Sequence, residues 1–129
     1  MVWAQMSYQS AKRELDRVFS LYIRKRDPKC VCCGRPTEVC GHFIPRGKLA
    51  TRWDDDNCFG FCSDCNGLEQ QTRTDPRWRE IHVSIIGEAL RGELESFARC
   101  VCKYSEAELR EKIVYFKKAI KSLDKRIIE

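Results

Sequence analysis

Two Cys-x-x-Cys pairs, Cys30/Cys33 and Cys62/Cys65, constrain this 129-residue chain more than any other feature. Each pair places two thiolates on one tight turn, and Gly34, just after the first, relieves the backbone there. Four converging thiolates make a closed, tetrahedral structural zinc site. Such a site contributes on the order of 10 kcal/mol to folding. The central stretch, roughly 70 residues, is small enough to need a metal or a crosslink. A redox dithiol would not need two pairs. Cys32, Cys40 and Cys58 lie nearby and compete for the same ion. Cys30/Cys33 keeps the two-residue spacing and leaves Cys32 pointing away. Cys40 and Cys58 fall in predicted strands, where a reduced cysteine packs as a small hydrophobe. Cys100 and Cys102 read as packing residues rather than ligands.

Nine cysteines is an odd number, so a disulfide scheme would leave one over. The N-terminus lacks the charged start and apolar run of a secretory signal. No apolar run approaches the roughly 18 residues that span a bilayer. The expectation is a cytoplasmic protein with reduced thiols and no membrane partner. Net charge is +5, unevenly spread: residues 1–29 carry +4, residues 30–102 carry −2 and residues 103–129 carry +3. Basic arms around an acidic centre suit a polyanion held by the arms, and equally suit solvated helix faces.

Apolar residues at helical spacing (Tyr8, Ala11, Leu15, Val18, Tyr22, with Phe19 and Ile23) predict a helix over 7–26, ended by Asp27-Pro28. Residues 30–65 lack a helical period. They read as a knuckle, a strand near 38–43, a long loop at 44–57, a strand at 58–61, and a second knuckle that opens a short helix. Asp75-Pro76 is a helix start, with Ile81, Ile85 and Ile86 on its apolar side. Gly87 breaks that helix, and Leu90, Leu94, Phe97 and Val101 continue in another. Ser105 to Glu108 is a capping box. Behind it Leu109, Ile113, Phe116, Ile120, Leu123 and Ile127 form a heptad-type seam. That seam fits either a homodimer interface or packing against the first helix. The fold class is α+β: a mostly helical single domain, 1–129, with the N-terminal helix in 1–29, a zinc-stapled ββα module in 30–74 and a helical part in 75–129.

His42 sits between the knuckles in Cys40-Gly41-His42-Phe43-Ile44-Pro45-Arg46-Gly47. By itself it could be a core histidine or a spare ligand. However, four thiolates already satisfy a zinc. The elements GHFIPRG, TRWDDDN and CSDCN, in this order, resemble the HNH nucleases. More closely, they are similar to the NinG (Rap) recombination proteins of lambdoid bacteriophages and prophages. The likeness extends to the opening helix at Leu15–Arg24 and to the closing helix from Lys103 to Leu123. Phage endonuclease VII has a similar layout.

The resemblance implies a nuclease of branched DNA, such as four-way (Holliday) junctions and strand-invasion loops, encoded by a phage or prophage and working in the bacterial cytoplasm. It implies His42 as general base, Asn57 tying the loop and aiming the imidazole, and Asn66 giving an oxygen to a catalytic Mg2+ or Mn2+. The products would carry 5′-phosphate and 3′-hydroxyl ends. Neutral imidazole takes a proton from water near neutral pH. Hard oxygen ligands suit those cations. Many HNH enzymes carry an acid or histidine beside the base, where this chain has Gly41. Asp54, Asp55, Asp56, Asp64 and Glu69 are therefore candidates for the second ligand, with Glu69 one turn from Asn66. Arg46, Lys48 and Arg52 are candidate phosphate contacts. Trp53, Trp78 and Phe97 read as core, and His82 has no assigned role. The rival readings are a general HNH nicking nuclease, a zinc-stapled DNA-binding adaptor without catalysis, and a thiol redox protein.

Overall fold

The structure, a computed structural model, describes residues 7–72 and 76–128, with side chains outside 68–72 and 126–128. Helix α1 (Tyr8–Arg26) starts where the extended Ser7 accepts the Ser10 N–H on its hydroxyl at 3.0 Å. It stops at Asp27, whose N–H closes on the Ile23 carbonyl at 2.9 Å, one residue before Pro28. Its stripe of Ala11, Leu15, Val18, Phe19 and Ile23 is buried.

That stripe meets α6 (Glu106–Ile128), which contributes Leu109, Ile113 and Phe116 to the same core. Phe116 sits edge-on to Phe19 at 4.9 Å and tilts against Tyr22 at 5.2 Å. The seam on α6 is thus occupied by α1, the packing alternative, and Ile120 lies at its fringe. The side chain of Ile127 lies outside the described residues. The capping box forms reciprocally, with Ser105 N–H to Glu108 Oε1 at 3.0 Å and Glu108 N–H to Ser105 Oγ at 3.1 Å.

Between these helices in sequence lies an antiparallel hairpin, β1 (Val39–His42) and β2 (Cys58–Phe61), in which Val39 faces Phe61 and His42 faces Cys58. Side chains alternate across it. Cys58 and Cys40 pack towards α1 and Trp53. Val39, Phe59 and Phe61 pack on the other side with Phe43, Trp78, Cys30 and Cys62. The hairpin is a partition between two cores. A short helix, α2 (Leu49–Arg52), breaks the long loop, and α3 (Ser63–Thr72) follows the second knuckle.

Helices α4 (Pro76–Ile86) and α5 (Glu88–Arg99) are separated by Gly87, whose φ of +91° suits glycine. Here three expectations are corrected. Trp78 and His82, rather than Ile81, form the buried side of α4; Ile81 is 37% exposed. Phe97, expected in the core, is 57% exposed, and Val101 is 91% exposed. Cys100 is exposed too, so it is not a packing residue. The cause is that α5 buries only Arg91 and Leu94 and then ends, so its period continues past its last neighbour. The Asp75 cap lies outside the described residues. Among the described residues, no helix is long and apolar enough to cross a membrane.

Candidate functional site

The first knuckle is a turn in which the Gly34 N–H closes on the Cys30 carbonyl at 2.9 Å, with Gly34 at φ +78°. The second is the first turn of α3, where Asn66 N–H reaches the Cys62 carbonyl at 3.0 Å. The Sγ atoms of Cys30, Cys33, Cys62 and Cys65 lie within 4.8 Å of one another, and Cys33 and Cys62 are 3.6 Å apart. Thiolates on a tetrahedral zinc are separated by about 3.8 Å, given bonds of roughly 2.3 Å. The Cys65 N–H points at Cys62 Sγ at 3.5 Å. Burial opposes ionisation of Cys30, but backbone N–H groups of Cys62, Cys33 and Cys32 outweigh it and bring its thiol to about 6. Spacing, convergence and N–H···S contacts all fit a zinc ion. Cys32 is exposed and stays out of the cluster.

His42 closes β1. One ring nitrogen, Nε2, lies 2.9 Å from the Arg52 carbonyl oxygen. Burial, with Arg46 and Arg52 nearby, holds its pKa below the ordinary histidine value, so the ring is neutral at neutral pH. Asn57 is fully buried behind it. Its Nδ2 donates to the Ile44 and Thr51 carbonyls, each at 3.0 Å, and its Oδ1 accepts the Ile44 N–H at 2.8 Å. One amide therefore ties both ends of the 44–51 loop. It also fixes the peptide next to the carbonyl that holds His42.

Asn66 Oδ1 lies on the side of β1 that Gly41 faces, opposite the side of the His42 ring. A Cβ at Gly41 would collide with the Phe61 ring and come within 2.9 Å of Asn66 Oδ1. This gives the missing acid at position 41 a physical reason: the space is taken by Phe61. Three of the other carboxylate candidates have separate duties. Asp54 accepts the Asp56 N–H at 2.8 Å, Asp55 accepts the Tyr22 hydroxyl at 3.0 Å, and Asp64 pairs with Arg35 at 3.2 Å. No carboxylate joins a metal-type cluster among the described residues. The Glu69 side chain lies outside them.

The three loop cations differ. Arg52 is largely buried and clamped on Asp16 at 2.7 Å, with a further bond to the Arg46 carbonyl at 3.1 Å. Its guanidinium is committed to holding the loop on α1, which speaks against phosphate contact. Arg46 also reaches Asp16, at 2.9 Å, but its side chain is 60% exposed. Lys48 is exposed. Asp16 accepts from Trp53 Nε1 as well, at 2.9 Å, and these donors hold its carboxyl below the usual range despite burial.

Two supports were not legible in the sequence. Arg26 donates to the Asp55 and Cys58 carbonyls at 2.8 and 2.7 Å, pinning the end of α1 to β2. His82 is buried with its ring stacked on Phe43, centroids 4.2 Å apart. Arg91 lies 2.8 Å from Nδ1, and a guanidinium can only donate. Nε2 therefore carries the proton and donates to the Asp56 carbonyl at 2.7 Å. Burial, then the charge of Arg91, lowers the His82 pKa to about 4. His82 thus holds the peptide on the other side of Asn57. The Trp78/His82 spacing marks a shared helix face, but nothing local joins His82 to Arg91.

These features define a class: a small α+β protein in which a ββα unit, with a four-cysteine cluster able to hold zinc, is enclosed by helices. The chain matches the family described as bacteriophage lambda NinG protein over residues 4–126 and belongs to that family. No curated protein and no solved structure matches it.

Proposed function

We propose that the chain is a metal-dependent endonuclease that cuts branched DNA recombination intermediates, with His42 as general base. The observation that carries this reading is the Asn57–Thr51/Arg52–His42 relay. A buried amide fixes a loop, and a carbonyl on that loop orients a neutral imidazole at the end of a strand. With Nε2–H donating to the Arg52 carbonyl, Nδ1 keeps the lone pair that takes a proton from water.

A catalytic Mg2+ or Mn2+ would supply charge stabilisation at the leaving oxygen. Asn66 Oδ1 would hold it, with phosphate oxygens and water as the remaining ligands. Arg46 and Lys48 have exposed ends beside the loop and are the candidates for gripping phosphate. Selection of a junction would rest on shape and backbone contacts. Symmetric resolution needs two nicks, hence a homodimer. With the α6 seam covered by α1, the outward face of α6, where Val114 and Tyr115 are 52% and 63% exposed, is left for that contact.

The test is cleavage of an end-labelled four-way junction beside linear duplex of the same sequence, in Mg2+ or Mn2+. Paired nicks near the branch, absent from the duplex and lost in His42→Ala with zinc content unchanged, are expected. The packing of Phe61 on Gly41 favours one second reading, a DNA-binding adaptor without catalysis. Tight junction binding with no cutting in either ion would establish it.

A further inference from the structure

The α1-facing side of the hairpin gathers a second set of soft donors. Cys40, His42 and Cys58 each offer one ligand atom, all within 4.8 Å of one another. The register produces this: Cys40 and His42 are two residues apart on β1, and Cys58 stands opposite His42. A fourth donor is fixed beside them. The Arg52 carbonyl oxygen lies 2.9 Å from His42 Nε2 and 3.6 Å from Cys58 Sγ. Asn57 holds the preceding carbonyl and Asp16 clamps the Arg52 side chain, so that oxygen cannot easily turn away. Packing accounts for Cys58, which is fully buried. It does not account for a second thiol and an imidazole, both only half-buried, converging on it. Two thiolates, an imidazole and an oxygen select zinc-like ions over magnesium.

We propose that Cys40, Cys58 and His42, completed by the Arg52 carbonyl, form a second and weaker zinc site, in which the ion replaces the hydrogen bond between Nε2 and that carbonyl, the ring proton sits on Nδ1, and His42 is thereby removed from proton transfer. The last clause rests on the nuclease reading above; the others do not. The site is weaker than the four-cysteine cluster because a carbonyl replaces thiolate and because Cys58 must ionise in an apolar core.

The probe is Co2+, added under reducing conditions to the full chain already carrying one zinc. One further equivalent is expected, with tetrahedral d–d bands and thiolate-to-cobalt charge transfer. Cys40→Ser and, independently, His42→Gln should weaken its uptake by more than the roughly 10–100-fold that loss of an outer-sphere partner costs. Retention of the first zinc in each variant shows that the fold persists. No second equivalent, or one undiminished in both variants, overturns the site. Junction cleavage should then fall as zinc fills the second site, and this sensitivity should be lost in Cys40→Ser. Unchanged cutting with both sites filled overturns the inhibitory role. Failure of the one-zinc protein to cut at all counts against the nuclease reading and leaves the metal site standing.

Discussion

The two cores on either side of the hairpin are built by different means. The α1/α6 core holds Leu15, Phe19, Ile23, Leu109, Ile113 and Phe116 on two long helices, and apolar burial suffices for it. The knuckle core is smaller, with Cys30, Phe43, Phe61, Cys62 and Trp78 buried. It gathers a four-cysteine cluster able to hold zinc and polar ties such as His82 to Asp56. One half therefore rests on buried area, the other on hydrogen bonds and a cysteine cluster with the capacity to bind a metal. The candidate site lies on the partition, where the rigid helical half supplies Asp16 and Arg26 as anchors.

Metal removal tests this contrast most severely. Stripping zinc from the four-cysteine cluster removes a contribution on the order of 10 kcal/mol and should open the knuckle half. Trp78 lies in that half and Trp53 in the other. In single-tryptophan variants, a chelator should shift Trp78 emission to the red while Trp53 stays shielded. A simultaneous shift of both would mean that the cores melt as one unit. Next comes Phe116→Ala, which should lower stability by about 3–5 kcal/mol in urea melts without reducing bound zinc. Loss of zinc in that variant would show that the helical core props up the knuckles.

The pH dependence is smaller and belongs to the knuckle half. His82 has a folded pKa of about 4, below the ordinary histidine value, so the unfolded chain binds more protons between the two. Its stabilising effect is complete above the unfolded value and is lost as pH falls towards 4, amounting to on the order of 2 kcal/mol. Acid also protonates the thiolates, so the measure is the difference in melting slope between the native chain and His82→Gln. Equal slopes would count against the neutral, buried ring. The smallest effect is Ser105→Ala, which should cost about 1 kcal/mol by fraying the start of α6. An unchanged urea midpoint would show that the α1 contact alone holds that end.

Much of the scaffold was legible because its signals are local. The paired cysteines, the strand expected near 38–43 and the stripe of α1 each depend on neighbours a few residues away. The α1/α6 partnership itself stayed open, because a heptad seam does not say whose helix fills it. The Asp16 clamp on Arg52, the Arg26 ties and the Arg91–His82 pair were hidden for a related reason. They join positions 36, 29 and 9 residues apart, which no period or motif links. The loop cations could be listed from sequence, but only burial separates Arg52, held inside, from Arg46, which reaches outward. Phe97 failed because a helix period gives direction without saying where the neighbouring surface stops.

The contact between Gly41 and Phe61 also sets how this hairpin can change. A carboxylate cannot be introduced at 41 by itself, since its first carbon would meet an aromatic ring. Shrinking Phe61 alone would open a cavity in the smaller core. The two positions are a lock that turns only when both are altered, so the double variant Gly41→Asp/Phe61→Ala should be less damaging than the sum of the two single changes. Any route from this ligand set to one with an acid beside the histidine must pass through that pair.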